Sequence, residues 1–220
     1  DASWKITSKG PIVANNEFDG EEYDARLEMA GWNTNGYDDS AWKTPDVMDA
    51  PAGKLTAQQN PNIRVQETLK PIAIFERPDG KYILDMGQNM VGWLSINLKG
   101  KKDQPVSMTF AELLQKDGSL YLANLRKALV TDIYTPAKDG DFSWQPRFVY
   151  HGFRFVEISG LDYKPELSAF TGHVIYDRMA TTGCFETSNP LVNQIHQNSY
   201  WGIRSNYRGM PTDCPQRDER

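Results

Sequence analysis

The chain has 220 residues, 39% of them hydrophobic, with 6 Trp, 10 Tyr and 9 Phe, which is enough for a packed core and excludes a disordered composition. Its formal net charge of −5 lacks the basic face that phosphate binding needs, so no nucleic-acid partner is expected. No apolar run approaches the length that spans a bilayer, so no membrane partner is expected either.

Residues 1–70 read as loop-rich, with Gly, Pro, Asn and Asp frequent and apolar positions sparse. An acidic run, Glu17 to Glu28, is followed by aromatics among turn formers: Gly31-Trp32 and Tyr37-Asp38-Asp39-Ser40-Ala41-Trp42. Such a stretch buries too little surface to fold alone, so it should lean on its neighbour with little regular structure. The acidic run could offer oxygens to calcium, but it lacks the spacing of a known calcium loop, and a solvated strand and turn is the default.

Residues 71–178 read as antiparallel β. Ile72 to Arg77 and Lys81 to Asp85 flank Pro78-Asp79-Gly80, a hairpin turn in which Pro presets φ and Gly accepts a positive φ. Leu94 to Leu98 and Val106 to Phe110 alternate apolar with polar residues, the mark of half-buried strands. Tyr134, Phe148 to Tyr150, Phe153 to Ile158 and His173 to Tyr176 supply further short strands. Phe153 to Ile158 breaks strict alternation, which points to a bulge or to burial on both faces. Many short strands with regular turns mean a sandwich or barrel. Trp32, Trp42, Trp93 and Trp144 are expected to be packing anchors before sugar-stacking platforms.

The period changes after residue 185. Thr187-Ser188-Asn189-Pro190 is a helix start, with a capping side chain and Pro in the first turn. Leu191, Val192, Ile195, Ile203 and Tyr207 fall on one face of a helix running to about Arg208, where Gly209 and Pro211 end it. That face needs cover, either by folding back on the sandwich or by self-association with a second copy, and it suggests a helical module that continues past residue 220. His196 reads as a packing residue on this helix.

The last residues carry the chemistry. Asp213, Arg217, Asp218 and Glu219 are crowded between prolines just beyond the helix, where a carboxyl with a raised pKa could act as a general acid and an arginine could clamp hydroxyls. Charge runs are more often solvated surface, so spacing alone leaves both readings open. Cys184 and Cys214 match no metal spacing and read as free thiols; neither a metal site nor a cofactor is expected.

The tail Asp213-Cys214-Pro215-Gln216-Arg217-Asp218-Glu219-Arg220 resembles the active-site signature of the bacterial α-L-rhamnosidase family of glycoside hydrolases. Gly183 to Asn193 is similar to the start of that family's catalytic helical barrel. Tyr82 to Trp93 and Arg147 to Arg154 resemble its concanavalin-like β-sandwich, and Gly20 to Arg26 with Gly31 to Trp42 the end of its N-terminal jelly-roll domain. The resemblance covers essentially the whole chain in order. It implies a mainly β fold: an antiparallel concanavalin-like β-sandwich at 71–178, preceded at 1–70 by a jelly-roll remnant. At 179–220 a linker and first helix open a six-hairpin α/α barrel. It implies hydrolysis of terminal α-L-rhamnosyl residues with inversion, with Glu219 as general acid and Asp213 and Arg217 binding sugar hydroxyls. Its general base is a second Glu far downstream, beyond this chain. Asp218 is no substitute, because adjacent residues do not face opposite sides of one sugar ring, and inversion needs carboxyls about 6.5–9.5 Å apart. The chain alone is therefore expected to be inactive.

The alternatives are a non-catalytic carbohydrate-binding β-sandwich module, and a hydrolase of the same architecture acting on another sugar. The opening Asp1-Ala2-Ser3-Trp4 shows no leader pattern, as a trimmed chain would not. Location stays unassigned, with a periplasmic or extracellular site slightly ahead of the cytoplasm.

Overall fold

A computed structural model describes residues 1–217; the expected acid Glu219 lies outside the described residues. Among the described residues twelve strands and one α-helix follow one another. The strands are β1 (Ile12–Asn16), β2 (Gly20–Asp24), β3 (Ile63–Leu69), β4 (Ala73–Glu76), β5 (Tyr82–Gly100) and β6 (Val106–Ala111). Then come β7 (Thr131–Thr135), β8 (Gly140–Trp144), β9 (His151–Ser159) and β10 (Phe170–Asp177). After the helix α1 (Pro190–Ser205) a small hairpin pairs β11 (Tyr207–Arg208) with β12 (Met210–Pro211).

The strands β1 to β10 form one curled sheet in the order β1-β2-β7-β6-β9-β5-β10-β3, with β4 and β8 also paired to β5. The organiser is β5, one strand of 19 residues where the alternation pattern predicts two short ones. Its first half pairs with β4 and β9, its middle with β10 and its end with β8. A strand this long bends where its ladder breaks. The register against β9 jumps between Asp85 and Met90, so the bulge expected within Phe153 to Ile158 lies instead on β5, opposite that segment. Gly87 takes φ 75° within it, and its N–H donates to the Asp85 carboxylate at 2.7 Å. Gly92 marks the crossing with β10: a Cβ there would lie 1.7 Å from the carbonyl oxygen of His173.

Period-two alternation builds the core. Leu94, Ile96 and Leu98 of β5 point inward with Val106, Met108 and Phe110 of β6, Val156 and Ile158 of β9, and Phe170 of β10; all are 3% exposed or less. The Pro78-Asp79-Gly80 turn links β4 to β5 as its residues require, with Gly80 at φ 79°.

Three expectations change. The segment 1–70 is not merely loops on a self-contained sandwich, since β1, β2 and β3 belong to the same sheet. There β2 pairs parallel with β7, Glu22 opposite Ile133, within an otherwise antiparallel sheet. Phe148 to Tyr150 is loop, and the strand starts at His151. The helix ends at Ser205, not near Arg208, because the backbone reverses into the β11–β12 hairpin around Gly209 at φ 78°.

The N-cap is as expected: Asn189 accepts from the Leu191 N–H at 2.9 Å, with Pro190 in the first turn. The helix does fold back onto β5 and β10, but not by its apolar stripe. Leu191, Ile195 and Ile203 are each more than half exposed. Trp201 packs on the core cluster, and Arg204 is buried.

Candidate active site

The tail after the helix is held by the end of the sheet. Asp177, buried at the end of β10, accepts from the Gly209 N–H with both carboxylate oxygens at 2.8 Å. Arg208 is buried with its guanidinium 4.4 Å from the centre of the Tyr150 ring, and it donates to Thr212 Oγ1 at 2.7 Å. Thr212 N–H in turn donates to the Asn206 carbonyl at 2.8 Å. On the other side, Pro215 and Gln216 lie against Gly152 of β9 so closely that a Cβ there would meet them at 3.1–3.3 Å. Asp177 of β10, Arg208 of β11 and Gly152 of β9 thus fix where Asp213 to Arg217 emerge.

Asp213 is exposed and sits where two clefts meet. One of about 200 Å³ runs beside Glu17, Phe18 and Tyr150. The other, of about 380 Å³, is lined by side chains suited to a polyol: Gln88, Asn89, Glu112, Asn198 and Trp201 among them. Cys214 Sγ–H donates to Asp213 Oδ2 at 3.4 Å, and burial pushes the Cys214 thiol pKa up. Arg217 is half-buried and its charge reaches Cys214. So Asp213 and Arg217 are brought to either side of one cysteine. Both cysteines are free, Cys184 exposed and Cys214 half-buried. Among the described residues no group of three or more His, Cys, Asp or Glu is arranged to hold a metal.

The supporting shell was not foreseen. Arg204 lies within an aromatic cage, 4.3 Å from the Tyr176 ring centre, 4.7 Å from Trp201 and 5.0 Å from Tyr200, and pairs with Glu67. Desolvation pulls its pKa down, the cost that the Glu67 carboxylate offsets. In the bulge of β5 that borders the larger cleft, Arg154 grips Asp85 with two hydrogen bonds of 2.8 and 2.9 Å and holds that carboxyl below its ordinary pKa. The only signal for Arg204 in the sequence was a charge on a helix that is otherwise polar and aromatic at the same turn.

The acidic run is not a solvated turn throughout. Glu21 is fully buried and accepts from Asn15 Nδ2 at 3.0 Å, Arg147 N–H at 3.1 Å and Phe148 N–H at 3.2 Å. Its own N–H donates to Asp132 Oδ1, which also meets His151 Nε2, both at 3.0 Å. Of the tryptophans, Trp144 is core, its ring tilted against those of Tyr23 and Tyr134. Trp32 is 56% exposed and stands in a run of turns outside the core cluster, so it is not a core anchor. His196 packs on Phe185, ring centres 4.8 Å apart.

Comparison with known proteins gives this arrangement its class. Residues 1–67 match the alpha-L-rhamnosidase N-terminal domain and 75–176 the bacterial alpha-L-rhamnosidase concanavalin-like domain. Residues 180–220 match the bacterial alpha-L-rhamnosidase 6 hairpin glycosidase domain. The chain belongs to the bacterial α-L-rhamnosidase family. An alpha-L-rhamnosidase of Streptomyces avermitilis is 41% identical over 218 residues, 99% of this chain and 21% of that protein. One from Formosa agariphila is 40% identical over 223 residues, 100% of this chain and 24% of that protein. The solved alpha-L-rhamnosidase from Dictyoglumus thermophilum superposes with a TM-score of 0.95 at 42% identity, covering 100% of this chain and 25% of that one. The Streptomyces avermitilis structure, complexed with L-rhamnose, gives 0.94 at 40% identity, with 100% and 21% covered. The chain spans about a fifth to a quarter of the length of these relatives.

Proposed function

We propose that these residues form the N-terminal and central β part, and the first catalytic helix, of an inverting glycoside hydrolase that removes terminal α-L-rhamnosyl residues. Asp213 and Arg217 bind hydroxyls of the rhamnose ring, and Glu219 protonates the departing glycosidic oxygen. The observation that supports this most is Asp213 standing at the junction of two polar clefts, on a tail anchored by Asp177 and Arg208. An anchored carboxylate keeps the position that a sugar subsite requires, whereas a solvated charged end would be held by nothing.

The reading also holds that the 220 residues alone do not turn over substrate. Inversion needs a second carboxyl about 6.5–9.5 Å from the acid, with a water between it and the anomeric carbon. The test is hydrolysis of p-nitrophenyl α-L-rhamnoside in parallel by the purified chain and by a protein that carries it joined to a following helical domain. The expected result is turnover by the second alone, lost on Glu219→Gln and accompanied by a β-configured rhamnose product. Turnover by the isolated chain, or full activity of Glu219→Gln, would overturn the assignment.

A further inference from the structure

A third cleft lies away from the tail, at the end of the β5–β8 ladder, and is lined by residues from both faces of it. It encloses about 800 Å³ between Trp93 on one side and the loop carrying Phe148 on the other. At Asn97 and Ser143 it runs on into a neighbouring groove of about 910 Å³ that reaches Tyr163, so the two together form an elongated trough.

Four observations give the trough a chemistry. Phe148 is 72% exposed, yet its backbone is pinned, because its N–H and that of Arg147 both donate to the buried Glu21 carboxylate. An exposed aromatic ring on an immobilised loop is presented rather than merely unburied. Opposite it, Trp93 is half-buried, with its ring stacked on His173 and its indole N–H donating to Gln145 Oε1 at 3.2 Å. The amides between them are half-used. Asn97 accepts from Ser143 Oγ at 2.6 Å through its oxygen, as Gln145 does from Trp93, and both side-chain NH2 groups make no hydrogen bond among the described residues. Finally, Trp144 lines the cleft at 8% exposure, and its indole N–H is buried without a protein hydrogen-bond partner. A buried donor of this kind calls for an acceptor.

The charges in the cleft are one Glu28, already accepting from Tyr23 Oη at 2.8 Å, and one Arg147, and in the adjoining groove Lys99, Lys101 and Lys164 are balanced by Asp141, Asp162 and Glu166. There is no excess of cations for an acidic polymer and no continuous apolar floor for a peptide helix. Aromatic faces flanked by unused amide donors in a trough without net charge suit a neutral polyhydroxylated ring. Its C–H face stacks on the aromatics, and its hydroxyl oxygens accept from the amides.

We propose that this trough is a carbohydrate-binding site separate from the tail, with one pyranose held between Phe148 and Trp93 and the next rings of a neutral oligosaccharide running toward Tyr163. It does not depend on the hydrolase reading, since it requires no chemistry at Asp213 or Glu219.

The test is NMR titration of the 220-residue chain with a linear α-1,3-linked L-rhamnose hexasaccharide, with cellohexaose as a second neutral glycan, following the indole N–H signals of all tryptophans. The expected result is saturable movement of the Trp93 and Trp144 signals with one of the two glycans, while the Gly209 amide at the tail stays still. Phe148→Ala, an exposed position that should not disturb folding, should weaken this binding about tenfold, the size of one lost stacking contact. Trp93→Phe, which keeps a ring, should retain most of it. No saturable movement with either glycan, movement confined to the tail, or equal affinity in Phe148→Ala would each overturn the proposal.

Discussion

Removing the buried carboxylate of Glu21 should loosen the joint between the N-terminal hairpin and the rest of the sheet. In Glu21→Ala three donors lose their acceptor: Asn15 Nδ2 and the N–H groups of Arg147 and Phe148. These groups are only partly buried, so each costs about 1 kcal/mol, the lower end of the range for an unsatisfied donor. The missing methylene adds about 0.8 kcal/mol. Against this, the wild type carries the cost of a desolvated charge, and burial pushes the Glu21 pKa above its ordinary 4.5. Relieving that cost returns part of this loss. The net expectation is a loss of about 2 to 3 kcal/mol. Urea unfolding followed by tryptophan fluorescence measures it, and hydrogen exchange at Arg147 and Phe148 localises it. The sign of the pH effect is also fixed. A carboxyl with a raised folded-state pKa contributes stability that is present below pH 4.5 and is lost as the pH rises through the folded value. The stability of wild type relative to Glu21→Gln should therefore fall on going from pH 4 upward. Unchanged stability in Glu21→Ala, or a difference that grows with pH, would refute the reasoning.

Gly92→Ala should give insoluble or unfolded protein, because no side-chain movement relieves a Cβ placed 1.7 Å from the His173 carbonyl oxygen; circular dichroism of the refolded material checks it. Asp85→Asn should cost about 1 kcal/mol, since the Arg154 partner is 40% exposed and water screens the pair. Because Arg154 depresses the Asp85 pKa, that contribution is present above pH 3.8 and lost as the pH falls through the folded value, so the mutant and wild-type urea midpoints should converge in acid. Arg204→Leu should speed hydrogen exchange throughout α1 by at least about tenfold and leave the exchange of β5 and β9 unchanged, because the cage and the Glu67 pair seat the helix rather than the sheet.

The sequence made local features legible and hid those that depend on distant partners. The turn at Pro78-Asp79-Gly80 and the cap at Asn189 follow from a few adjacent residues, so residue chemistry alone located them. The alternation in Leu94 to Leu98 likewise gave the inward and outward faces of β5. That β5 is continuous from Tyr82 to Gly100 was not legible, because the alternation of Leu94 to Leu98 does not run back through Gly87 to Asn89, which becomes a bulge only when β9 pairs on both sides of it. The parallel pairing of β2 with β7 joins residues about 110 apart in sequence, and the acidic run carried no mark that one member, Glu21, meets the amides at 147 and 148. In the tail, the crowding of Asp213 and Arg217 is visible in the sequence, while Asp177 and Arg208, which hold the tail, are single charges that nothing local marks.

That difference bears on how the β part contributes to catalysis in the proposed enzyme. A tail that belongs in sequence to the helical module takes its position from the sheet, through the Asp177 carboxylate, the Tyr150 ring and the backbone space at Gly152. The helix itself reaches the sheet through Arg204 and Trp201, which leaves the stripe of Leu191, Ile195 and Ile203 uncommitted. Two surfaces of one short segment are thus divided. The charged and aromatic one fixes where Asp213 stands relative to the sheet, and the apolar one is left for packing that the described residues do not supply. Under the proposed function, a subsite loop held in this way takes its place from the β scaffold and not from the helical module alone. Substitutions at Asp177 or Tyr150, neither of which is assigned a chemical role, should accordingly impair turnover of the proposed enzyme by misplacing the subsite while the sheet stays folded.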